Sequence, residues 1–223
     1  MGILLRESQF SNPVVSEAPG LLYAFVPAHG EAEASAVARE LSRTLSEGHG
    51  LTVLLADFCA RGFPVWGTAE APQRLDEKSW GEFITKRDGF HSLEAREAHP
   101  REIPSLLKRA RQRYAVTCAD LTGARQLAAL EVLRQSDSIF VVSEADRASV
   151  ELARFKASWL RTVNLAEKSA LLLYRASTGP GAAHAEDRVG LPVCGVMDES
   201  HQVEQLAAWL SAMARPCADF QQV

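Results

Sequence analysis

Apolar residues in this chain fall into short continuous runs, separated by longer stretches with a different spacing. A run of consecutive apolar positions is typical of a strand in a parallel sheet that is covered on both faces. The pattern therefore predicts six strands, at 21–27, 51–57, 114–120, 138–143, 169–175 and 191–197.

Between the predicted strands, apolar residues recur at every third or fourth position, which is the spacing of an amphipathic helix. Val37, Leu41 and Leu45 form one such stripe. The same spacing predicts helices at 103–113, at 127–135, over 146–165 with Leu152, Phe155, Trp159 and Val163 on one side, and near the end of the chain with Val203, Leu206, Ala207, Leu210 and Met213. Strands that alternate with helices form βαβ units. We therefore predict an α/β fold with a doubly wound, mostly parallel sheet and helices on both faces.

The length of 223 residues is enough for one large domain with its own core. The composition, 47% hydrophobic and 23% charged, is that of an ordinary globular protein. We predict a single α/β domain over 21–223, preceded at 1–20 by a tail or an added edge element.

Two internal segments lack a regular spacing of apolar residues. The segment 58–100 is predicted to be irregular, and its aromatic residues Trp66, Trp80 and Phe90 have two interpretations. They form either a surface for a partner or a small satellite core under a long loop. The segment 176–190 is rich in glycine and small residues and is predicted to be a loop.

The charge of the chain limits its partners. It has 24 Lys and Arg against 28 Asp and Glu, a net charge of −4, which argues against a dedicated nucleic-acid surface. No apolar run approaches the ~20 residues that span a bilayer, and we expect a cytoplasmic protein without an integral membrane segment. The last predicted helix has no Lys or Arg before Arg215, so it is predicted to pack on the sheet rather than to bind a membrane.

The four cysteines indicate neither a disulfide framework nor a metal site. Cys59, Cys118, Cys194 and Cys217 are far apart in the sequence and form no C-x-x-C pair. We predict that all four are reduced and that the chain holds no metal through them.

The first strand, its loop and the helix after it are placed like a phosphate-binding unit. In nucleoside-triphosphate-binding α/β proteins this loop is rich in glycine, carries a Lys for the phosphates and ends with a Ser or Thr for magnesium. Here the loop at 27–35 reads PAHGEAEAS. It provides Gly30 and Ser35, but Glu31 and Glu33 stand in a loop without lysine.

With its flanking segments, VPAHGEAEAS…VLLAD, this loop resembles the deviant-Walker ATPases, which include MinD, ParA and the bacterial tyrosine kinases. Their pattern is K-G-G-x-G-K-[ST]-[ST] followed by a helix and a strand that ends in V-L-L-I-D. One register places Ser35 on the magnesium-binding residue, Gly30 on the first glycine and Ala34 on the phosphate lysine. The other places Glu33 on that lysine. Neither register supplies a lysine.

Further segments match the same superfamily in the right order. VLLADFCARG places Asp57 on the Asp associated with catalysis or magnesium and Arg61 on an Arg of the pattern, and YAVTCADLTG places Asp120 and Gly123 on a D-x-x-G loop. The segments SDSIFVVSEADRASV, LLLYRAS and LPVCGVM are similar to later strands of these proteins. The resemblance implies a nucleotide site, here degenerate, formed by Gly30, Ser35, Asp57, Asp120 and Gly123.

The same residues also have a purely local interpretation. An Asp at the end of a strand readily caps the turn that follows, which describes Asp57 and Asp120. Ser35 is then a residue of the helix start, and Gly123 serves the backbone conformation of its loop. We predict the local role for both aspartates because the phosphate lysine is missing.

Three functional hypotheses follow. The first is a non-catalytic pseudo-ATPase without a catalytic residue, metal or cofactor, which binds a protein partner or a second copy of itself in bacterial cell organisation, as the resemblance implies. The second is a working Mg-ATP switch that uses Ser35, Asp57 and Asp120 and takes a cation from Arg61 or from a partner. The third is a small-molecule or anion-binding protein that uses the helix start after Gly30. We favour the first because carboxylates in the loop repel phosphates and a missing lysine removes charge stabilisation during phosphoryl transfer.

Overall fold

A computed structural model describes residues 19–29, 32–59, 83–87, 89–96, 98–174, 182–197 and 200–214, without the side chains of 32, 33 and 200–202. In these ranges eight strands form one sheet: β1 (Leu21–Pro27), β2 (Val53–Asp57), β3 (Ile84–Arg87), β4 (Phe90–Glu94), β5 (Val116–Asp120), β6 (Ser138–Glu144), β7 (Ser169–Tyr174) and β8 (Val193–Met197). The strand order is β3-β4-β2-β5-β1-β6-β7-β8. Only the β3–β4 pair among these strands is antiparallel.

Helices cover both faces of the sheet. The described helices are α1 (Ala32–Glu47), α2 (Ile103–Arg113), α3 (Gln126–Gln135), α4 (Arg147–Thr162), α5 (Ala182–Val189) and α6 (Ser200–Met213). Helices α2 to α5 bury their apolar residues in the core on one face, and α1 and α6 do so on the other. We call these two sets the α2–α5 layer and the α1/α6 layer. The predicted α/β fold with a doubly wound, mostly parallel sheet is confirmed.

The central strand β1 shows why its sequence is a continuous apolar run. Leu22, Ala24 and Val26 point into the core under the α2–α5 layer, and Tyr23 and Phe25 point into the core under the α1/α6 layer. Successive side chains of a strand alternate between the two faces. A strand covered on both faces therefore needs an apolar residue at every position.

The last described helix packs on the sheet as predicted, with Met213 of its predicted stripe left 41% exposed. In α6, Val203, Leu206, Ala207 and Leu210 are buried in the core of the α1/α6 layer, so this helix covers the sheet. No helix of the described residues has both the length and the apolar composition needed to cross a bilayer.

The structure differs from the sequence prediction in the segment 58–100. Residues 84–87 and 90–94 pair as the antiparallel strands β3 and β4, and Gly89 before β4 has a φ of +83°. Phe90 is 3% exposed and joins the core of the α1/α6 layer. Phe90 is thus part of a main core, neither of a partner surface nor of a satellite core. Trp66 and Trp80 lie outside the described residues.

A second difference concerns 176–190, where a loop was expected. Residues Ala182–Val189 form α5, which buries Ala185 and Val189 in the core under the α2–α5 layer. The helix has eight residues, and its apolar stripe consists mainly of alanines. Such a stripe is too weak to be distinguished from a loop by periodicity, and packing against α4 stabilises it instead.

Candidate functional site

The sheet topology brings the two predicted aspartates together at one edge. Asp57 ends β2 and Asp120 ends β5, and these parallel strands pair with Asp57 directly beside Asp120. On the other side of β5, Phe25 of β1 is in register with Asp120, and α1 begins soon after β1. Ligands of open α/β sheets bind outside the carboxyl ends of the strands. The predicted residues Ser35, Asp57, Asp120 and Gly123 therefore surround one such edge.

Each aspartate caps the loop that follows its own strand. Oδ1 of Asp57 accepts a hydrogen bond of 2.8 Å from the backbone N–H of Cys59, and Oδ1 of Asp120 accepts one of 2.9 Å from Thr122 N–H. This side-chain to backbone pattern, two residues forward, is the Asx turn. Both aspartates therefore make the hydrogen bonds that the local interpretation predicts. The Asp120 residue is only 5% exposed in this turn.

An arginine that the sequence did not indicate lies beside Asp57. Nη2 of Arg96 is 4.0 Å from Oδ2 of Asp57 and 3.5 Å from Oε1 of Glu94. Glu94 ends β4, and β4 pairs with β2 so that Glu94 lies next to Asp57. Arg96 therefore supplies a positive charge to the edge of the sheet from outside the loop after β1. Because these side chains are partly exposed, the pairs contribute less than about 1 kcal/mol to stability.

Three polar atoms around this edge are buried without a hydrogen bond within the described part of the chain. They are Oγ of Ser35, Nε of Arg96 and Oγ1 of Thr122. Ser35 lies in the first turns of α1, while Thr122 follows β5 and Arg96 follows β4. A buried polar atom without a partner costs about 1–3 kcal/mol. Two further atoms of this kind, Nε of Arg111 in α2 and Oγ1 of Thr117 within β5, lie elsewhere in the fold, so such atoms are not confined to this end of the sheet.

The donors at this edge suit magnesium better than they suit a nucleotide. Ser35, Asp57 and Asp120 offer hydroxyl and carboxylate oxygens, which are the ligands that magnesium prefers. Among the described residues, however, no three His, Cys, Asp or Glu side chains gather as a metal site. The sequence from 28 to 38 also holds two glutamates and no Lys or Arg. These oxygens are of the type that binds magnesium, whereas the charge of this loop does not fit phosphates.

The remaining predicted residues divide between those that are described and those that are not. Gly123 is exposed and has a φ of +62°, a conformation that glycine adopts without strain. Gly30, Glu31 and Arg61 lie outside the described residues. Arg96 was missed because its position beside Asp57 depends on the β2–β4 pairing, in a segment that sequence periodicity left unassigned.

Similarity to known proteins is found through structure. Neither a family model nor a curated protein matches the chain. MinD from Pyrococcus horikoshii, solved with Mg-ADP, superposes with a TM-score of 0.68 at 16% identity, covering 90% of this chain and 100% of that chain. The MinC:MinD cell division protein complex of Aquifex aeolicus superposes with a TM-score of 0.70 at 11% identity, covering 90% of this chain and 99% of that chain. A ParA family ATPase from Chlorobium tepidum superposes with a TM-score of 0.64 at 16% identity, covering 87% of this chain and 93% of that chain.

The sheet, its helices and these superpositions define an α/β fold of the P-loop NTPase type. Within this class, the chain has the fold of the deviant-Walker ATPases MinD and ParA. The expectation raised by the sequence resemblance is confirmed at the level of the fold. At identities of 11–18%, the superpositions establish the fold and leave the chemistry open.

Proposed function

We propose that this chain is a non-catalytic pseudo-ATPase, which uses the MinD and ParA fold as a cytoplasmic protein-binding or regulatory module in bacterial cell organisation. Its partner is a protein, with a second copy of the chain as one candidate, and neither nucleic acid nor a cofactor is required. The proposal is supported by the fold shared with division and partition ATPases, together with a loop that has two glutamates and no lysine.

One observation carries this proposal. Oδ1 of Asp57 is bound to the backbone of its own loop, and Oδ2 faces the guanidinium of Arg96. The carboxylate of Asp57 thus has a positive side chain beside it without a metal ion. Asp120 also directs one carboxylate oxygen to its own loop. The two aspartates act as structural caps, so their presence in the sequence does not require a bound nucleotide or metal ion.

A second candidate function is favoured by a different observation. Oγ of Ser35 is buried and has no hydrogen-bond partner in the described residues, although the resemblance places it on the magnesium ligand of the superfamily. A Mg-ATP switch would give this atom a partner and would use the neighbouring Asp57 and Asp120. Its cation would be Arg96, Arg61 or an arginine of a partner protein.

Thermal unfolding distinguishes the two functions. We expect the same melting temperature with no nucleotide, with Mg-ATP and with Mg-ADP, each at millimolar concentration, and with ATP plus a chelator. A ligand at 100 times its dissociation constant would add about 2.7 kcal/mol to the free energy of unfolding. A magnesium-dependent shift that Asp57→Asn abolishes and Asp146→Asn retains would establish the switch instead. Asp146 is the matched control because it also caps a backbone turn, at the start of α4.

A further inference from the structure

Helix α4 leaves a row of apolar side chains uncovered. Phe155 is 63% exposed and Leu152 is 36% exposed, while Trp159, one turn further on, is partly buried. These three residues, which we call the α4 row, follow the i, i+3, i+7 spacing of one side of a helix. Large apolar side chains that are exposed as a group mark an interaction surface more often than single ones do.

The other sides of α4 already have neighbours. Val150, Ala153, Ala157 and Leu160 are buried against the sheet. Towards α5, Arg161 donates hydrogen bonds to the carbonyl oxygens of Val189 (2.9 Å) and Gly190 (2.7 Å), and Glu151 pairs with Arg188. Helix α3 packs against α2 and makes little contact with α4. Leu152 and Phe155 therefore lie on the side of the helix away from the sheet and from α5, while Trp159 at the end of the row packs in part against the core.

Two positively charged side chains lie over the aromatic rings of this row. The guanidinium of Arg154 lies 5.3 Å from the ring centre of Phe155, and Nζ of Lys156 lies 5.9 Å from that of Trp159. Arg154 is paired with Glu151. No carboxylate in the described ranges pairs with Lys156. A partner that covers the row would have to provide a negative charge for this ammonium group.

The whole α2–α5 layer has the same sign of charge. Its four helices carry ten Lys and Arg and four Asp and Glu, although the chain as a whole has a net charge of −4. The helices of the α1/α6 layer carry two basic and four acidic residues. The α4 row is thus an apolar strip within a positively charged face, and a complementary partner is apolar and acidic.

We propose that the α4 row docks an acidic amphipathic helix of a partner protein, an inference that rests on the protein-binding role proposed above and names its surface. Seven residues of helix span about 10 Å, so a second helix can match the row with its own i, i+3, i+7 side chains. Carboxylates beside those side chains would pair with Lys156 and with the exposed Arg147.

Other occupants fit this surface less well. A membrane-binding helix needs a broad apolar face with basic borders, but Glu151 lies next to the row and only three large apolar side chains form it. Duplex nucleic acid would use the arginines and leave the Phe155 ring uncovered. A second copy that laid its own α4 row on this one would bring Arg154 and Lys156 against the same positive charges, which repel each other.

A direct test uses the full chain and a designed peptide about four turns long, with leucines at i, i+3 and i+7 and glutamates beside them. Its matched control has lysine in place of every glutamate. We expect fluorescence anisotropy to show at least about tenfold tighter binding of the acidic peptide, a difference of about 1.4 kcal/mol. Phe155→Ser should weaken this binding about tenfold, whereas Trp209→Ser, an exposed aromatic on the opposite face, should change it less than about twofold.

Several results would overturn the proposal. Equal binding of both peptides, or binding that Phe155→Ser leaves unchanged, would remove the α4 row as a docking site. Anionic vesicles or duplex DNA could bind the chain more tightly than the acidic peptide does. If Phe155→Ser abolished that binding, the row would be assigned to a different partner. Self-association in light scattering that Phe155→Ser abolishes would assign it to a second copy. The assay contains no nucleotide, so its outcome is independent of the nucleotide test of the proposed function.

Discussion

The two layers of helices solve the same packing problem and differ on their outer sides. Both bury small and branched apolar residues against the sheet, such as Leu107 in the α2–α5 layer and Leu41 in the α1/α6 layer, each 0% exposed. Outside, the α2–α5 layer has a basic excess and the α1/α6 layer an acidic one. Folding constrains the inner side of a helix, because burial there supplies the stability. Packing on the sheet does not constrain the outer side, so the two layers can differ in charge there. We therefore use the charge of the outer side to infer what kind of partner binds it.

The largest expected effect tests whether the cores under the two layers contribute equally to the free energy of unfolding. Leu107→Ala and Leu41→Ala each remove a fully buried side chain, and each should lower the free energy of unfolding by about 2–5 kcal/mol. Urea denaturation of the two variants and the wild type measures both values. A loss below about 1 kcal/mol in only one of them would show that the two cores do not stabilise the fold equally.

The next effect concerns the start of α4, the helix that carries the exposed row. Oδ1 of Asp146 accepts hydrogen bonds from the N–H groups of Ala148 and Ser149, at 2.9 and 3.0 Å. Asp146→Ala should lower stability by about 1 kcal/mol, because two backbone donors lose their partner. Asp146→Asn is the matched control, since an asparagine caps a helix about equally well. Thermal or urea unfolding would contradict the capping role if both variants lost the same stability.

The same residue gives a pH dependence with a definite sign. Hydrogen bonds, first of all those with Ser149, hold the pKa of the Asp146 carboxyl below its usual range. The group is therefore charged in the folded state at a pH where it would be protonated in the unfolded chain. Its contribution to stability is present above about pH 4 and is lost as the pH falls through the lowered value. Urea denaturation from pH 7 to 3 should show a smaller decline for Asp146→Asn than for the wild type.

A smaller effect is expected at the edge of the sheet, between the two layers. Arg96→Gln removes the cation beside Asp57 and Glu94 and should lower stability by less than about 1 kcal/mol, because the ion pairs are partly exposed. The loss should shrink as salt is added. Glu94→Gln, which removes one of the two carboxylates, is the control. A salt-independent loss of several kcal/mol would mean that the buried Nε, rather than the ion pairs, determines what Arg96 does.

The smallest effects test whether the outer sides are dispensable for folding. Phe155→Ser in α4 and Trp209→Ser in α6 replace exposed aromatic residues, 63% and 50% accessible. Each should change stability by no more than about 0.5 kcal/mol. Melting temperatures measured side by side would contradict this comparison if Phe155→Ser were strongly destabilised, since Phe155 would then belong to the core rather than to a docking surface.

Sequence prediction succeeded where one strand or helix carries the whole signal. The runs at 21–27 and 138–143 are apolar at nearly every position and became β1 and β6, two neighbouring inner strands. The placement of Asp57 and Asp120 at the same end of the sheet was also foreseeable, because both end strands of one parallel sheet. Their direct pairing depends on the strand order, which only the structure gives. The prediction missed β3, β4 and α5, which are short. β4 is held by pairing with β2 and α5 by packing on α4, both separate segments of the chain, and β3 pairs with β4.

The sequence by itself determined the α/β class, the doubly wound sheet and the absence of lysine from the loop after β1. All three are local properties of residue type and spacing. Only the tertiary structure decided that Arg96 faces Asp57, that Phe90 lies in the core and that Leu152 and Phe155 stay exposed. These features depend on which strands pair and which helices touch, and both result from packing between distant segments, which periodicity along one segment does not encode.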